Sequence, residues 1–374
     1  MKCKHIYIHF PFCLSKCPYC DFFSLTEGDA AIYSGYVDLL LKEIDIYNEH
    51  IEDRISTLYF GGGTPGLMSE ADLRRILAKF KYDADAEITV EVNPGAISAE
   101  KLRPFRDIGI NRLSIGAQSF IDRDLQTIGR IHSSKDIYST YHAARNSGFK
   151  NINLDLMTGI PGQTPASILF NAGEIVRLKP EHVSAYILTF YDETPFGSLL
   201  KKGQIRKYDD DLEMEFFELT QEVLLSHGYK RYEISNFAKE GYLSRHNKNT
   251  WDFGSYIGFG ASAHSFYGRK RWNNPSSVED YCDQINRLKD TTLETVEISD
   301  DDLKKEFVML GLRKLDGIDL ALYQKFFGSD LMSDQGCKIK PFISNGSLII
   351  NEHSLRMSQK DLNIFNTIVS EIIY

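Results

Sequence analysis

No stretch of about eighteen apolar residues occurs anywhere in the 374-residue chain, so none of its helices is predicted to cross a bilayer. The N-terminal MKCKHIYIHF lacks the long apolar core and small-residue cleavage site of a secretory signal. Together these absences predict a cytoplasmic protein that is not integral to a membrane. An excess of basic charge is missing too. The net charge is −9, the wrong sign for neutralising nucleic-acid phosphates, and the one dense basic stretch, GRKRW at 268–272, reads as a solvated turn. There is no repeat of fixed period and no low-complexity tract. A hydrophobic content of 42% and a charged content of 25% are those of a globular protein. The length suits one large domain with a smaller companion.

Cysteine is scarce, with six in all, and in a reducing compartment disulfides are not expected. Cys3, Cys282 and Cys337 stand alone and read as structural or incidental thiols. The other three, Cys13, Cys17 and Cys20, crowd into HFPFCLSKCPYCDFFS. What this cluster lacks is a fourth thiol. A structural zinc site closes four ligands, often from two C-x2-C pairs, whereas C-x3-C-x2-C offers three; a fourth from His9 or Asp21 would be unusual. A [4Fe–4S] cluster on three thiolates leaves one iron open to another ligand, much as a catalytic zinc keeps an exchangeable position.

Apolar, β-branched runs recur at 5–10, 55–60, 87–92, 111–117, 151–157 and 182–188, with helical stretches between them. Ser69 with Asp72, and Ser133 with Asp136, are helix-start pairs, and Gly148 is a helix stop. The alternation predicts βαβ units and a parallel sheet. Periodicity leaves a barrel and a doubly wound sheet equally open. The unusual clusters, however, follow every strand: the cysteines, GGGTP (61–65), EVNPG (91–95), GAQSF (116–120), Asp155 with TGIPGQT (158–164), and LTFYDETP (188–195). A doubly wound sheet gathers ligands at one switch point, whereas six loaded strand ends favour a barrel-like ring. Three regions are expected: a barrel over 1–230, a loop-rich connecting region over 231–295, and a small α+β module over 296–374. In the last, a helix ends near Gly317 and SLIINE is strand-like.

The C-x3-C-x2-C spacing with Tyr19 before its last cysteine resembles the radical S-adenosylmethionine (SAM) superfamily. YFGGGTP, EVNP, LSIGAQSF, GRIHS, LDLMTGIPGQT, RHNKNTW and LGLRKLDGI extend the likeness over essentially the whole chain. They point to the coproporphyrinogen-oxidase-like branch, nearest the HemW-type heme chaperones. The resemblance implies an α/β fold, a partial (β/α)6 TIM-like barrel with a smaller C-terminal domain, carrying a [4Fe–4S] cluster on Cys13, Cys17 and Cys20. It implies SAM contacts at Tyr7, Tyr19, Gly62, Gly63, Thr64, Glu91, Gln118, Arg130 and Asp155. It also implies heme as a ligand, with His246 of HNKNTW near it, although Thr250 stands where that motif usually has Tyr. Acceptor hemoproteins, an electron donor and a homodimer are the implied partners. The alternative in the same branch is the oxygen-independent coproporphyrinogen III oxidase. That enzyme shows a further cysteine two residues after the third, where this chain has Phe22, and an extension before the cluster; both differences favour the chaperone.

Overall fold

The computed structural model describes residues 2–26, 28–287 and 296–373. Six parallel strands form the centre of one sheet: β1 (His5–Phe10), β2 (Ile55–Gly62), β3 (Tyr82–Val92), β4 (Arg112–Gln118), β5 (Ile152–Thr158) and β6 (His182–Ile187). Each pairs with its neighbour in sequence, and the order never reverses. A doubly wound sheet needs a reversal, so the architecture is the partial barrel. Every residue of β4 is buried, as expected of a parallel strand covered on both faces. The predicted helix signals are present. Ser69 Oγ accepts from Asp72 N at 3.0 Å, Asp136 accepts from Ser133 N at 2.8 Å, and Gly148 follows its helix at φ 89°.

The sheet does not stop at residue 230. β7 (Lys230–Arg231) and β8 (Asn236–Ala238) add antiparallel strands beyond β6, and β9 (Ile257–Phe259) pairs parallel with β1. These strands are two or three residues long, too short to display a period, which is why the segment reads as loop. β7 and β9 end the nine-stranded sheet and do not pair with each other among the described residues, so the barrel stays open. Residues 288–295, closing the expected connecting region, lie outside the described residues.

The loop after β9 is fastened to the helix Ala30–Ile46. Glu43, fully buried on that helix, accepts from Gly260 N (2.8 Å), Asn274 Nδ2 (2.7 Å) and Tyr281 OH (2.6 Å). Tyr36 OH donates to His9 O at 3.0 Å and accepts from Ala261 N at 2.8 Å, tying the same loop to β1. Among the described residues no cation faces Glu43, and burial pushes its carboxyl up to about 7. Between pH 4.5 and 7 the folded state therefore keeps a proton that the unfolded chain has lost, and this stabilisation fades as the pH rises through 7. Glu43→Gln has no such titration. Its stability deficit against wild type is expected to be largest near pH 5 and to shrink by up to about 3 kcal/mol by pH 8. Urea unfolding of both proteins at the two pH values measures this; a deficit that is constant or grows with pH contradicts it.

The C-terminal module has its own core, from Leu303 and Phe307 to Ile368 and Ile372. Its first helix, Asp300–Leu312, stops earlier than the sequence suggests. Gly317, at φ 77°, is instead the turn into a three-stranded sheet, where a Cβ would lie 2.2 Å from Leu355 O.

Candidate functional site

Strands β2 to β6 and the loops after β1 to β4 converge on a cavity of about 160 Å³. Cys13, Cys17, Tyr19, Cys20, Gly62, Gly63, Thr64, Glu91, Gln118, Arg130 and Asp155 all border it. The cysteine loop folds back on the end of β1: Leu25 N donates to Pro11 O (2.7 Å) and Cys13 N to Leu25 O (2.8 Å). The GGGT turn is wedged beneath it, with Gly63 N on Phe10 O and Thr64 N on Phe12 O, both at 2.8 Å. A Cβ on Gly63 would meet Phe12 O at 2.7 Å, and one on Gly62 would meet the His9 ring at 2.6 Å. These glycines are thus required by the cysteine loop and by β1 themselves, apart from any ligand.

The three thiols are free. A chain of donors reaches two of them: Arg130 Nη2 to Asn93 Oδ1 (2.8 Å), Asn93 Nδ2 to Thr64 Oγ1 (2.9 Å), Thr64 Oγ1 to Cys13 Sγ (3.4 Å), and Arg130 Nη1 to Cys17 Sγ (3.6 Å). Hydrogen bonds to sulfur favour the thiolate, the form that binds metal. Burial works the other way, pushing the Cys13 thiol up and Cys20 to about 11, so ligation must displace protons. Among the described residues no three His, Cys, Asp or Glu side chains converge as one metal ion would require. A cluster that places each thiolate on a different iron makes no such demand, so the donor set fits a cluster better than zinc.

Opposite the cysteines stand two carboxylates. Glu91, at the end of β3, accepts from Tyr59 OH at 2.7 Å, and burial pushes it up to about 7. Asp155, on β5, accepts from Asn153 Nδ2 at 2.7 Å and is also pushed up by burial. Both would gain from a cationic ligand, and SAM carries a sulfonium and an ammonium group. Gln118 sits at a register irregularity between β4 and β5 with φ 65°, a left-handed backbone that costs a non-glycine residue energy. Its Oε1 accepts from Tyr186 OH. Arg130 Nε is buried with no partner among the described residues, an orphan donor at the edge of this space. The cavity shares Tyr19, Cys20, Asp155 and Tyr186 with a second one of about 340 Å³, room for a nucleoside beside a cluster.

Tyr7 and His246 lie elsewhere. They border a cavity of about 700 Å³ that shares only Glu91 and Phe22 with the cysteine cavity. Tyr7 OH donates to His9 Nδ1 (3.1 Å), while His9 Nε2 donates to Phe23 O (3.0 Å). His246 is on the helix Arg245–Trp251, not in a loop. Its backbone N donates to Glu87 Oε1 (3.1 Å), and its Nδ1 bonds Thr57 Oγ1 (2.8 Å), leaving Nε2 without a partner among the described residues. Burial holds the ring neutral by lowering it to about 3.

The geometry agrees with the comparisons. Residues 7–170 match the radical SAM superfamily and residues 298–362 the HemN C-terminal domain. The chain is 36% identical over 334 residues to heme chaperone HemW of Bacillus subtilis, covering 88% of each protein. The chain belongs to the HemW family. A second HemW, from Escherichia coli, is 39% identical over 264 residues, 69% of each chain. Coproporphyrinogen III oxidase (HemN) from Escherichia coli, a radical SAM enzyme, superposes with a TM-score of 0.85 over 99% of this chain and 90% of its own, at 22% identity. That likeness is one of fold.

As a HemW-family, radical SAM protein the chain has a [4Fe–4S] cluster and SAM as its implied cofactors. No helix among the described residues is long and apolar enough to cross a membrane. Sequence reasoning missed Asn93, Tyr59 and Tyr186, which hold Thr64, Glu91 and Gln118 in place. Asn93 stands inside the quoted EVNPG motif and Tyr59 opens YFGGGTP, so both had a signal; Tyr186 acts through a partner on another strand and had none.

Proposed function

We propose that this protein is a heme chaperone that binds a [4Fe–4S] cluster and SAM in the cysteine-lined cavity, takes heme in the larger cavity and delivers it to acceptor hemoproteins. The observation that carries this reading is the pair of cavities meeting at Glu91 and Phe22, the larger presenting a buried, neutral imidazole. A neutral imidazole is the form that ligates heme iron, and the Thr57 bond on Nδ1 orients His246 so that Nε2 is available. The names of the HemW relatives support the same reading.

When bound and reduced, the cluster supplies one electron to SAM. Cys13, Cys17 and Cys20 would hold it, with Arg130 and Thr64 donating to two of the sulfurs. Glu91 would balance a cationic group of SAM, Asp155 would accept from sugar hydroxyls, and Tyr19, Gln118 and the GGGT turn would complete the walls. Tyr7, in the larger cavity, would face heme rather than SAM. The reading calls for an electron donor and a reducing, cytoplasmic setting, and it admits a homodimer.

The fold is also that of coproporphyrinogen III oxidase, so the test sets the two activities against each other. Phe22 stands where the oxidase has its extra cysteine, and its exposed ring borders both cavities. Reconstituted anaerobic protein is expected to give a Soret band that saturates near one heme per chain. With reductant, SAM and coproporphyrinogen III it is expected to form no decarboxylated product. His246→Ala should shift or weaken the band, because imidazole sets the iron's ligand field. Sustained product over many turnovers, read by chromatography, would make the protein the oxidase instead.

A further inference from the structure

Between the barrel and the C-terminal module lies a cavity of about 580 Å³, bordered by Phe22 and Tyr186, which also border the cysteine cavity. Domain junctions of this kind are common ligand sites. Much of its wall is apolar or aromatic, including Met214, Phe217 and Phe365. Two arginines, Arg231 and Arg313, face it, and among the described residues no aspartate or glutamate does, although the chain as a whole carries a net charge of −9.

The two arginines differ. Arg231 is spent on the protein: Nη1 donates to Gln221 Oε1 (2.6 Å), Nη2 to Ile234 O (2.6 Å) and Nε to the same carbonyl (3.1 Å). Arg313 is held by its near end alone. Its Nε donates to Glu233 Oε2 at 2.8 Å, and Glu233, fully buried, also accepts from Ser235 N at 2.8 Å. The guanidinium carbon rests 4.5 Å from the centre of the Trp251 ring. Neither Nη nitrogen makes a hydrogen bond among the described residues. The result is a planar fork, fixed in orientation by an ion pair and a stacked ring, with its free donors left for a ligand. A carboxylate matches that fork with two parallel hydrogen bonds. Trp251 itself borders the cavity that holds His246, so Arg313 stands between the two spaces.

We infer that Arg313 binds a carboxylate of an apolar, aromatic ligand, which on the heme reading proposed above is a porphyrin propionate that reaches past Trp251 from the cavity holding His246. Glu233 and Trp251 position the guanidinium, and the charge of Arg231 adds to the attraction.

The test removes the carboxylate from the ligand as well as the arginine from the protein. Heme and heme dimethyl ester are titrated, by absorbance, into reconstituted wild type, Arg313→Gln and Arg313→Lys, with iron content and circular dichroism read on each. Capping the propionates is expected to weaken binding to wild type on the order of tenfold. Arg313→Gln should weaken heme by a similar factor and leave the ester unchanged, and Arg313→Lys should recover part of the loss. The wild-type comparison needs no variant, so it stands even if loss of the Glu233 pair destabilises Arg313→Gln. Equal affinity of wild type for heme and ester overturns the inference while heme binding survives. Equal weakening of both ligands in Arg313→Gln overturns it too, by making the arginine structural. A wild type that saturates with neither ligand removes the heme reading, and the inference with it.

Discussion

Anaerobic protein in which Cys13, Cys17 or Cys20 is replaced by alanine is expected to come off the column colourless, against about four irons and four sulfides per chain in the wild type. The loss should be complete rather than graded. Three thiolates leave one of the four irons open, loss of any one leaves two without a thiolate, and among the described residues no further cysteine borders the cavity to replace it. Cys337→Ala, at an exposed position in the C-terminal module, should retain full iron content and serves as the control. Iron and acid-labile sulfide assays decide the matter. Undiminished iron in any of the three variants, or zinc without iron in the reconstituted wild type, would refute the assignment.

The second large effect concerns a residue with no side chain. From the sequence alone, Gly63→Val is expected to obstruct the backbone's approach to SAM and weaken its binding without unfolding the barrel. The structure predicts a broader failure, because a Cβ at this position lies within 3.0 Å of backbone atoms of Phe10, Pro11 and Phe12. Backbone cannot rotate away as a side chain can, so the turn and the cysteine loop must separate, at a cost of about 1–3 kcal/mol. Gly63→Val is therefore expected to lose both iron content and SAM binding, the latter measured by titration calorimetry, while the far-UV spectrum keeps its α/β form. Gly173→Ala makes the opposite comparison. It lies inside the helix Pro165–Leu178 with nothing within 4 Å of the added Cβ, and should be neutral or stabilising. Full iron content in Gly63→Val would show that the loop yields more easily than its contacts indicate.

Much of the barrel was legible because β1 to β6 each carry a long apolar run and alternate with capped helices. β9 was not, since Ile257, Gly258 and Phe259 become a strand only through pairing with Ile6, Tyr7 and Ile8. The same divide runs through the site. Local motifs marked the cysteines, the glycine turn and Glu91. The side chains that hold them depend on distant parts of the chain: Thr57 reaches His246 from 189 positions away, and Tyr186 reaches Gln118 across 68. Glu43 gave no signal either, because a glutamate on a helix reads as surface until its three donors are seen.

The pairing of β1 with β9 has a consequence for the nascent chain. β1 leaves the ribosome well ahead of β9, and one of its edges stays uncovered until β9 emerges about 250 residues later. At ordinary translation speeds that wait is roughly 10 to 50 s. For all that time the strand leading into the cysteine loop offers unpaired backbone groups beside Ile6, Ile8 and Phe10. Messages cut short before residue 257 therefore yield products that keep an open, apolar strand edge, and these are the fragments most in need of holding or removal by the cell's quality-control machinery.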